Sequence, residues 1–278
     1  MLTNWPLDPV VISGLLLAGI AYVRADRRVR GDRRGHPLRR RSFLAGLAVV
    51  FIALQSPIDT RAANSFAVHM LQHLLLTMVA APLLVLGASV TLGLQATTPQ
   101  RRRRLVSALH SRPVRVLSSP IVAWSLFVLV LWGTHLTAVY ELTLRSPGVH
   151  ALEHLLYMAT AVLFWIPVVG LDPSPAELSH PARILYLFLA MPAMAFLGLI
   201  LFSADHVLYP TYAAIEGVTR ALAEQRIAGA LMWTGTMFLI VPALAFVMLD
   251  WMRTDDREAR RVDARLERAA VVAERASR

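Results

Sequence analysis

The chain has 278 residues, 56% of them hydrophobic, with a mean hydropathy of +0.54. A soluble domain is usually about 45–50% apolar, so this composition excludes an ordinary soluble protein. The formal net charge is +10, carried entirely by arginine on the basic side, and there is no cysteine, which excludes a disulfide framework, thiolate copper or zinc sites and covalent c-type haem.

The apolar residues fall into long runs, and a membrane span needs roughly 20 mainly apolar residues to cross about 30 Å of hydrocarbon. The first run, Val10–Val23, follows Asp8 and lacks the basic start and small-residue cleavage site of a signal peptide, so it reads as a retained first helix. Arg24–Arg41, which holds nine arginines, follows it. The second run is Phe43–Gln55, opened by Ser42 as a plausible N-cap and closed by Ser56-Pro57. The third is Phe66–Leu86, ending at Gly87, and the loop after it carries Arg101–Arg104, Arg112 and Arg115. Pro120, at a first-turn position, opens the fourth, Ile121–Val139. The fifth and sixth are Val149–Val169 and Ala182–Phe202, separated by a loop rich in Pro, Ser and Asp. After a non-membrane segment, 203–223, comes the seventh, Gln225–Trp251. The tail from Arg253 alternates arginine with Asp and Glu at helical spacing and reads as a solvated cytoplasmic helix, so that residues 1–252 form the membrane domain and 253–278 the tail.

The sequence therefore predicts an all-α polytopic membrane protein, a seven-transmembrane helix bundle. The segments after spans one, three and seven hold 9, 6 and 8 arginines, and the alternate segments hold few. The positive-inside rule then puts the N-terminus outside and the C-terminus in the cytoplasm. Because the arginines sit in breaks between apolar runs, the high pI reports topology and not nucleic-acid binding.

That topology sorts the histidines by depth. His36, His110 and His180 face the cytoplasm. His69 and His73 begin span three, His135 lies near the outer end of span four, His150 and His154 begin span five, and His206 follows span six. All six share the outer half. His69-Met-Leu-Gln-His73 and His150-Ala-Leu-Glu-His154 are i,i+4 pairs, which project from one helix face and can chelate a single ion. Imidazole suits copper, zinc, iron and nickel, and polar groups at membrane depth are usually functional. Gln72 and Glu153 can orient the imidazoles, Asp59, Asp205 and Glu224 lie at the outer ends of spans, and Met70, Met232 and Met237 offer soft sulfur for Cu(I). A lone interfacial histidine, or methionine at helical spacing, is more often packing; the weight rests on two pairs and His135 on one side.

The same residues partly fit other chemistries. His150-Ala-Leu-Glu-His154 fits the H-x-x-E-H pattern of inverted zinc peptidases, but five residues on an amphipathic helix say little without a third ligand and an open position. Two histidines on different helices can ligate haem b, yet pairs four residues apart lie too close for two stacked haems, and one haem leaves two histidines unused. Pro82, Pro167, Pro192 and Pro242 interrupt spans as transporter hinges do, without an inverted repeat or a polar path to the cytoplasm.

Several stretches resemble a known family. Phe66-x-x-His69-Met-Leu-Gln-His73-Leu-Leu-Leu running into Ala80-Ala81-Pro82-Leu83-Leu84 and Gly87, and His150-x-Leu-Glu153-His154-Leu followed by Phe164-Trp165-x-Pro167-Val168, resemble the Bacillus-type CtaG family of cytochrome c oxidase assembly factors. Tyr209-Pro210-x-Tyr212 and Gln225-x-x-Ala228-Gly229-x-x-Met232-Trp233 are similar to it as well, so the likeness runs from span two to span seven. His69, His73, His150 and His154 fall in motif positions, and Trp132-Gly133-x-His135 has a family-like context. The resemblance implies a non-enzymatic, multi-pass protein of the plasma (inner) membrane that helps to make an active haem–copper oxidase. Its partners would be the lipid bilayer and cytochrome c oxidase subunits, with no nucleic acid. The expected ion is copper, held on the non-cytoplasmic side by His69, His73, His150 and His154 with His135, and zinc or haem b are the alternatives. The competing functional classes are a haem b or quinone redox protein and a metal-free assembly scaffold.

Overall fold

A computed structural model describes residues 5–30, 37–136, 138–173 and 177–276, and His36 lies outside them. Every regular element among the described residues is helical, and proline and serine open most of them. α1 is Pro9–Arg30, α2 is Pro37–Gln55 and α3 is the short Pro57–Ala62. Ser56 caps α3 by accepting from the Ile58 amide at 3.2 Å, with Pro57 in the first turn, where its missing N–H costs nothing. The third span is built in pieces: α4 (Phe66–Leu74), a π-helical turn over Leu75–Ala80, and α5 (Ala81–Leu86). It stops at Ala88, whose φ of 49° turns the chain into α6 (Ser89–Gln95). α7 (Pro99–Leu109) and α8 (Arg112–Leu117) follow, then α9 (Pro120–His135) and α10 (Ala138–Arg145). α11 (Pro147–Val169) ends on Gly170, whose φ of 62° lets its amide reach the Ile166 carbonyl at 3.0 Å. After α12 (His180–Ser203) come α13 (Pro210–Glu216), α14 (Val218–Ala230), a second π-helical turn over Leu231–Gly235, and α15 (Thr236–Ala276).

Among the described residues five helices are long and apolar enough to cross a membrane: Pro9–Val29, Phe66–Gln95, Pro147–Val169, His180–Ser203 and Val218–Arg268. A sixth is added if α9 and α10, bent by 73° from one another, count as one span. The predicted second span is present as α2, but Arg39, Arg40 and Arg41 occupy its first turns, so it is not among the five. The predicted fourth span, drawn to Val139, ends sooner. Thr134 Oγ1 donates to the Val130 carbonyl (2.9 Å) and His135 Nδ1 contacts the Leu131 carbonyl (2.8 Å), so side chains satisfy the last turn before the chain bends. The arginine-rich breaks are more helical than the sequence predicts: α1 runs on through Arg24–Arg30, and α7 carries Arg101–Arg104. The charged tail is not separate: α15 continues through it without a break to Ala276.

The third span is the centre of the bundle. It packs against α2, α11, α14 and the π turn that follows α14. Its own π turn keeps the carbonyls around it partnered, because Thr77 Oγ1 donates to the His73 carbonyl (2.7 Å) and Trp165 Nε1 donates to the Thr77 carbonyl (2.9 Å). Helices α12 and α14 touch at Gly198 and Gly229, where a Cβ on Gly229 would stand 2.5 Å from the Gly198 carbonyl oxygen. Helices run on through Pro167, Pro192 and Pro242, whereas Pro82 sits in the first turn of α5, directly after the π turn.

Candidate metal centre

The site begins with two helix N-termini lying side by side. Ser65 caps α4 by accepting from the Val68 amide at 3.3 Å. Glu224 of α14 accepts from the Ser65 hydroxyl and from the Ala67 amide (3.3 Å), so a carboxylate completes the cap where the helix dipole favours negative charge. This fixes the turn that carries His69, with His73 stacked one turn deeper. α11 has no side-chain cap; Pro147 opens it from a first-turn position and so sets His150, Glu153 and His154 on its first two turns. His135 arrives from the last turn of the antiparallel α9.

These five imidazoles form one cluster. Ring centroids are 4.4 Å apart for His69–His73, 4.2 Å for His150–His154, 5.1 Å for His69–His150, 5.4 Å for His73–His154 and 6.3 Å for His73–His135. The Nε2 atoms of His69 and His73 are 3.0 Å apart. One ligand atom each from His69, His73, His150 and Glu153 lies within 4.8 Å of all the others. Tetrahedral N and O ligands at about 2.0–2.2 Å from a metal stand roughly 3.3–3.6 Å from each other, so a contraction of about 1 Å would close the set. His69, His73 and Glu153 are buried, and His150 and His154 are partly exposed.

The hydrogen bonding points the same way. Buried polar atoms almost always have partners. Here six atoms at one place have none among the described residues: Gln72 Oε1, His73 Nδ1, His150 Nε2, His154 Nε2 and both carboxylate oxygens of Glu153. The Thr143 hydroxyl lies beside Glu153, but it donates to the Tyr140 carbonyl at 2.7 Å. Lone pairs of imidazole and carboxylate converging without donors are what a cation satisfies, and the donors are three imidazoles and one carboxylate, a set that suits zinc or copper.

A polar and aromatic shell holds these groups. Gln72 Nε2 donates to the Ala53 carbonyl (2.9 Å) and to Asp59 Oδ1 (2.8 Å), tying α4 to α2 and α3. Burial pushes the Asp59 carboxyl above its ordinary pKa, against the lowering effect of the Gln72 bond and of nearby His150. Tyr212 donates to the Ala62 carbonyl at 3.3 Å, and its hydroxyl lies 3.4 Å from His69 Nδ1 and 3.3 Å from the Tyr140 hydroxyl. The Tyr209 hydroxyl donates to the His135 carbonyl, and Tyr157 contacts both Thr134 and His135. Burial raises the pKa of the Tyr209 and Tyr212 phenols, which keeps them neutral donors.

Not every residue singled out by sequence joins the cluster. His206 and Asp205 are exposed. His180 pairs with Asp250 at 3.2 Å, and His110 Nδ1 contacts the Val106 carbonyl of its own helix at 2.8 Å. Glu224 caps α4, and Met70 Sδ lies 3.1 Å from His135 Nε2. Sequence reasoning did not assign Tyr140, Tyr157, Thr134 or Met194 to the site. The one available signal was Tyr157, which shares the helix face of His150, Glu153 and His154.

Residues 20–254 match a protein family described as cytochrome c oxidase caa3 assembly factor (Caa3_CtaG). Uncharacterised proteins of Mycobacterium bovis and Mycobacterium tuberculosis are each 28% identical over 274 residues, covering 95% of this chain and 42% of the relative. One of Mycobacterium leprae is 30% identical over 278 residues, covering 94% of this chain and 41% of the relative. The chain thus spans about two fifths of the length of these relatives. No solved structure matches it.

Proposed function

Since the chain belongs to the family of cytochrome c oxidase caa3 assembly factors, we propose that it binds a copper ion at the outer ends of its helices and passes that ion to an oxidase subunit. His69, His73, His150 and Glu153 hold the ion, with His154 as a further ligand and His135 beside them. The observation that supports this most is the group of six unpartnered buried donor atoms within two adjacent helix starts. Zinc fits the same donor set; copper is preferred because a haem–copper oxidase needs it. A ligand group of this kind exchanges its ion by stepwise replacement of imidazoles, so the two partly exposed histidines, His150 and His154, would release first.

Haem is less well supported. The cavity that His73 and His135 line together measures about 20 Å³, whereas pockets for organic ligands run to roughly 300–1,000 Å³; the larger cavity beside His135, about 290 Å³, has no second histidine in its lining. The proposal includes seven spans, with α2 and the bent α9–α10 pair counted, the N-terminus outside and the site on the non-cytoplasmic face of the plasma membrane.

The test is a His69→Ala, His73→Ala double variant. It should lose the stoichiometric copper of the purified protein and fail to support oxidase activity under copper limitation. Full oxidase activity in that variant would refute copper delivery, and wild-type protein free of any bound metal would favour a metal-free scaffold.

A further inference from the structure

The described cluster leaves one side of His135 unexplained. Its Nδ1 lies 2.8 Å from the Leu131 carbonyl oxygen. The Tyr157 hydroxyl also lies 3.0 Å from Nδ1, but a carbonyl only accepts; in the tautomer that satisfies the Leu131 carbonyl, Nδ1 carries the proton of the neutral ring, Tyr157 donates to Thr134, and Nε2 carries a lone pair. That Nε2 faces Met70 Sδ at 3.1 Å. A thioether also only accepts, so two lone-pair atoms confront each other inside the protein with no hydrogen between them.

Both residues line a small cavity of about 20 Å³, together with Met194, Met232 and His73 among others. About 10–15 Å³ of such space suffices for one water-sized occupant. A water there could donate its hydrogens to these lone pairs, but its own oxygen would go without a donor, because this wall offers no spare one. Thr77 donates to the His73 carbonyl at 2.7 Å, Thr236 donates to the Met232 carbonyl at 2.6 Å, and the Tyr157 hydroxyl is engaged with Thr134. What remains is three thioethers and the lone pairs of imidazole. An acceptor-only cage of one-atom size suits a cation, and thioether sulfur selects a soft one.

We propose that Met70, Met194, Met232 and His135 form a second metal site, specific for Cu(I), separated from the histidine–glutamate site by the shared ring of His73. The chemistry of the two sites differs: three nitrogens and a carboxylate oxygen in one, sulfur and one nitrogen in the other. His73 turns its Nε2 to His69 and has an unpartnered Nδ1, so a single imidazole borders both. The two π-helical turns, Leu75–Ala80 and Leu231–Gly235, flank this second site, and Met232 lies within one of them. Widened turns of this type gather at functional sites. On its outer side, His135 also borders a cavity of about 290 Å³ lined by Glu141, Leu208 and Tyr209, which offers a route to the site that bypasses the other histidines.

The experiment loads the 278-residue chain in detergent with Cu(I) under anaerobic conditions, against a Cu(I)-specific chelator, with Ag(I) as a redox-inert parallel and Zn(II), a borderline cation, as the control that favours nitrogen and oxygen. A Met194→Leu, Met232→Leu double variant keeps the packing volume and should lose at least tenfold in Cu(I) and Ag(I) affinity while retaining Zn(II). A His150→Ala, Glu153→Gln variant should do the reverse. Selenomethionine-substituted wild-type protein loaded with Cu(I) should show copper at bonding distance from selenium by X-ray absorption, a result that does not depend on any variant folding. The proposal is overturned if selenium sees no copper, or if the methionine variant holds Cu(I) as tightly as wild type. Those outcomes leave the histidine–glutamate reading intact. Conversely, that reading fails alone if selenium sees copper while the His69→Ala, His73→Ala protein still supports the oxidase.

Discussion

Glu153 offers a test in which stability and metal binding move in opposite directions. Its side chain is 3% exposed and neither carboxylate oxygen has a hydrogen-bond partner among the described residues. Leaving a buried polar group unsatisfied costs about 1–3 kcal/mol, and a charged one more. Glu153→Leu removes both oxygens at similar side-chain volume, so the metal-free variant should be more stable than metal-free wild type by about 1–3 kcal/mol. With metal present the order of benefit inverts. A ligand at a hundred times its Kd stabilises the folded state by about 2.7 kcal/mol. If losing the carboxylate weakens binding about a hundredfold, the same metal concentration stabilises the variant by only about 0.4 kcal/mol. The assay is thermal unfolding in detergent followed by tryptophan fluorescence, with and without Zn(II) or Cu(II). The expected result is a raised melting temperature for the metal-free variant and a metal-induced increment reduced to a small fraction of the wild-type one. A destabilised metal-free variant with an undiminished increment would show that Glu153 is a structural group, and would remove it from the ligand set.

Other outcomes follow from the same geometry. Glu224→Gln weakens the cap on α4, which should cost about 1 kcal/mol and lower metal affinity without touching a ligand; calorimetric titration of the metal reads both consequences. Gly229→Val drives side-chain atoms into the Gly198 carbonyl and the Phe202 backbone amide, 2.5 and 2.6 Å from the nearest Cβ position. Overpacking of this kind should cost about 1–3 kcal/mol or more, visible as a lower melting temperature. Metal loading should weaken at acidic pH, because protons compete for the imidazole nitrogens, and isotherms between neutral and mildly acidic pH would show it. Burial raises the Asp59 pKa in the folded state, so its contribution to stability is present below the unfolded pKa and lost as pH rises through the folded one. Asp59→Asn should flatten that part of the stability–pH curve while keeping an acceptor for Gln72. Finally, an alkaline phosphatase fusion after Ser146 should be active and one after Arg103 inactive; the opposite pattern would invert the topology.

The sequence by itself determined the class of the protein, most of its helices and the pairing of its histidines. Apolar run length and arginine spacing are local properties, set by the thickness of hydrocarbon and the cost of moving charge across it. The i,i+4 pairs are local too, since helix periodicity alone puts His69 over His73 and His150 over His154. Sequence also placed the ends of the third and fifth runs, at Leu86 and Val169, within a residue or two of Ala88 and Gly170, where positive φ stops the helices. It misjudged the fourth span, where Thr134 and His135 bond their own helix carbonyls and end the helix before the bend, and it missed the π turns, which depend on partners such as Trp165 that come from another helix. Only the tertiary structure decided that α4, α9 and α11 bring together the ends that carry His69, His135 and His150, that Glu153 joins three histidines within 4.8 Å while His206 stays exposed, and that Met194 lines the same cavity as His135. Those relations depend on which helices are neighbours and how they are rotated, and helix neighbourhood is set by packing among side chains far apart in the chain, which no local pattern records.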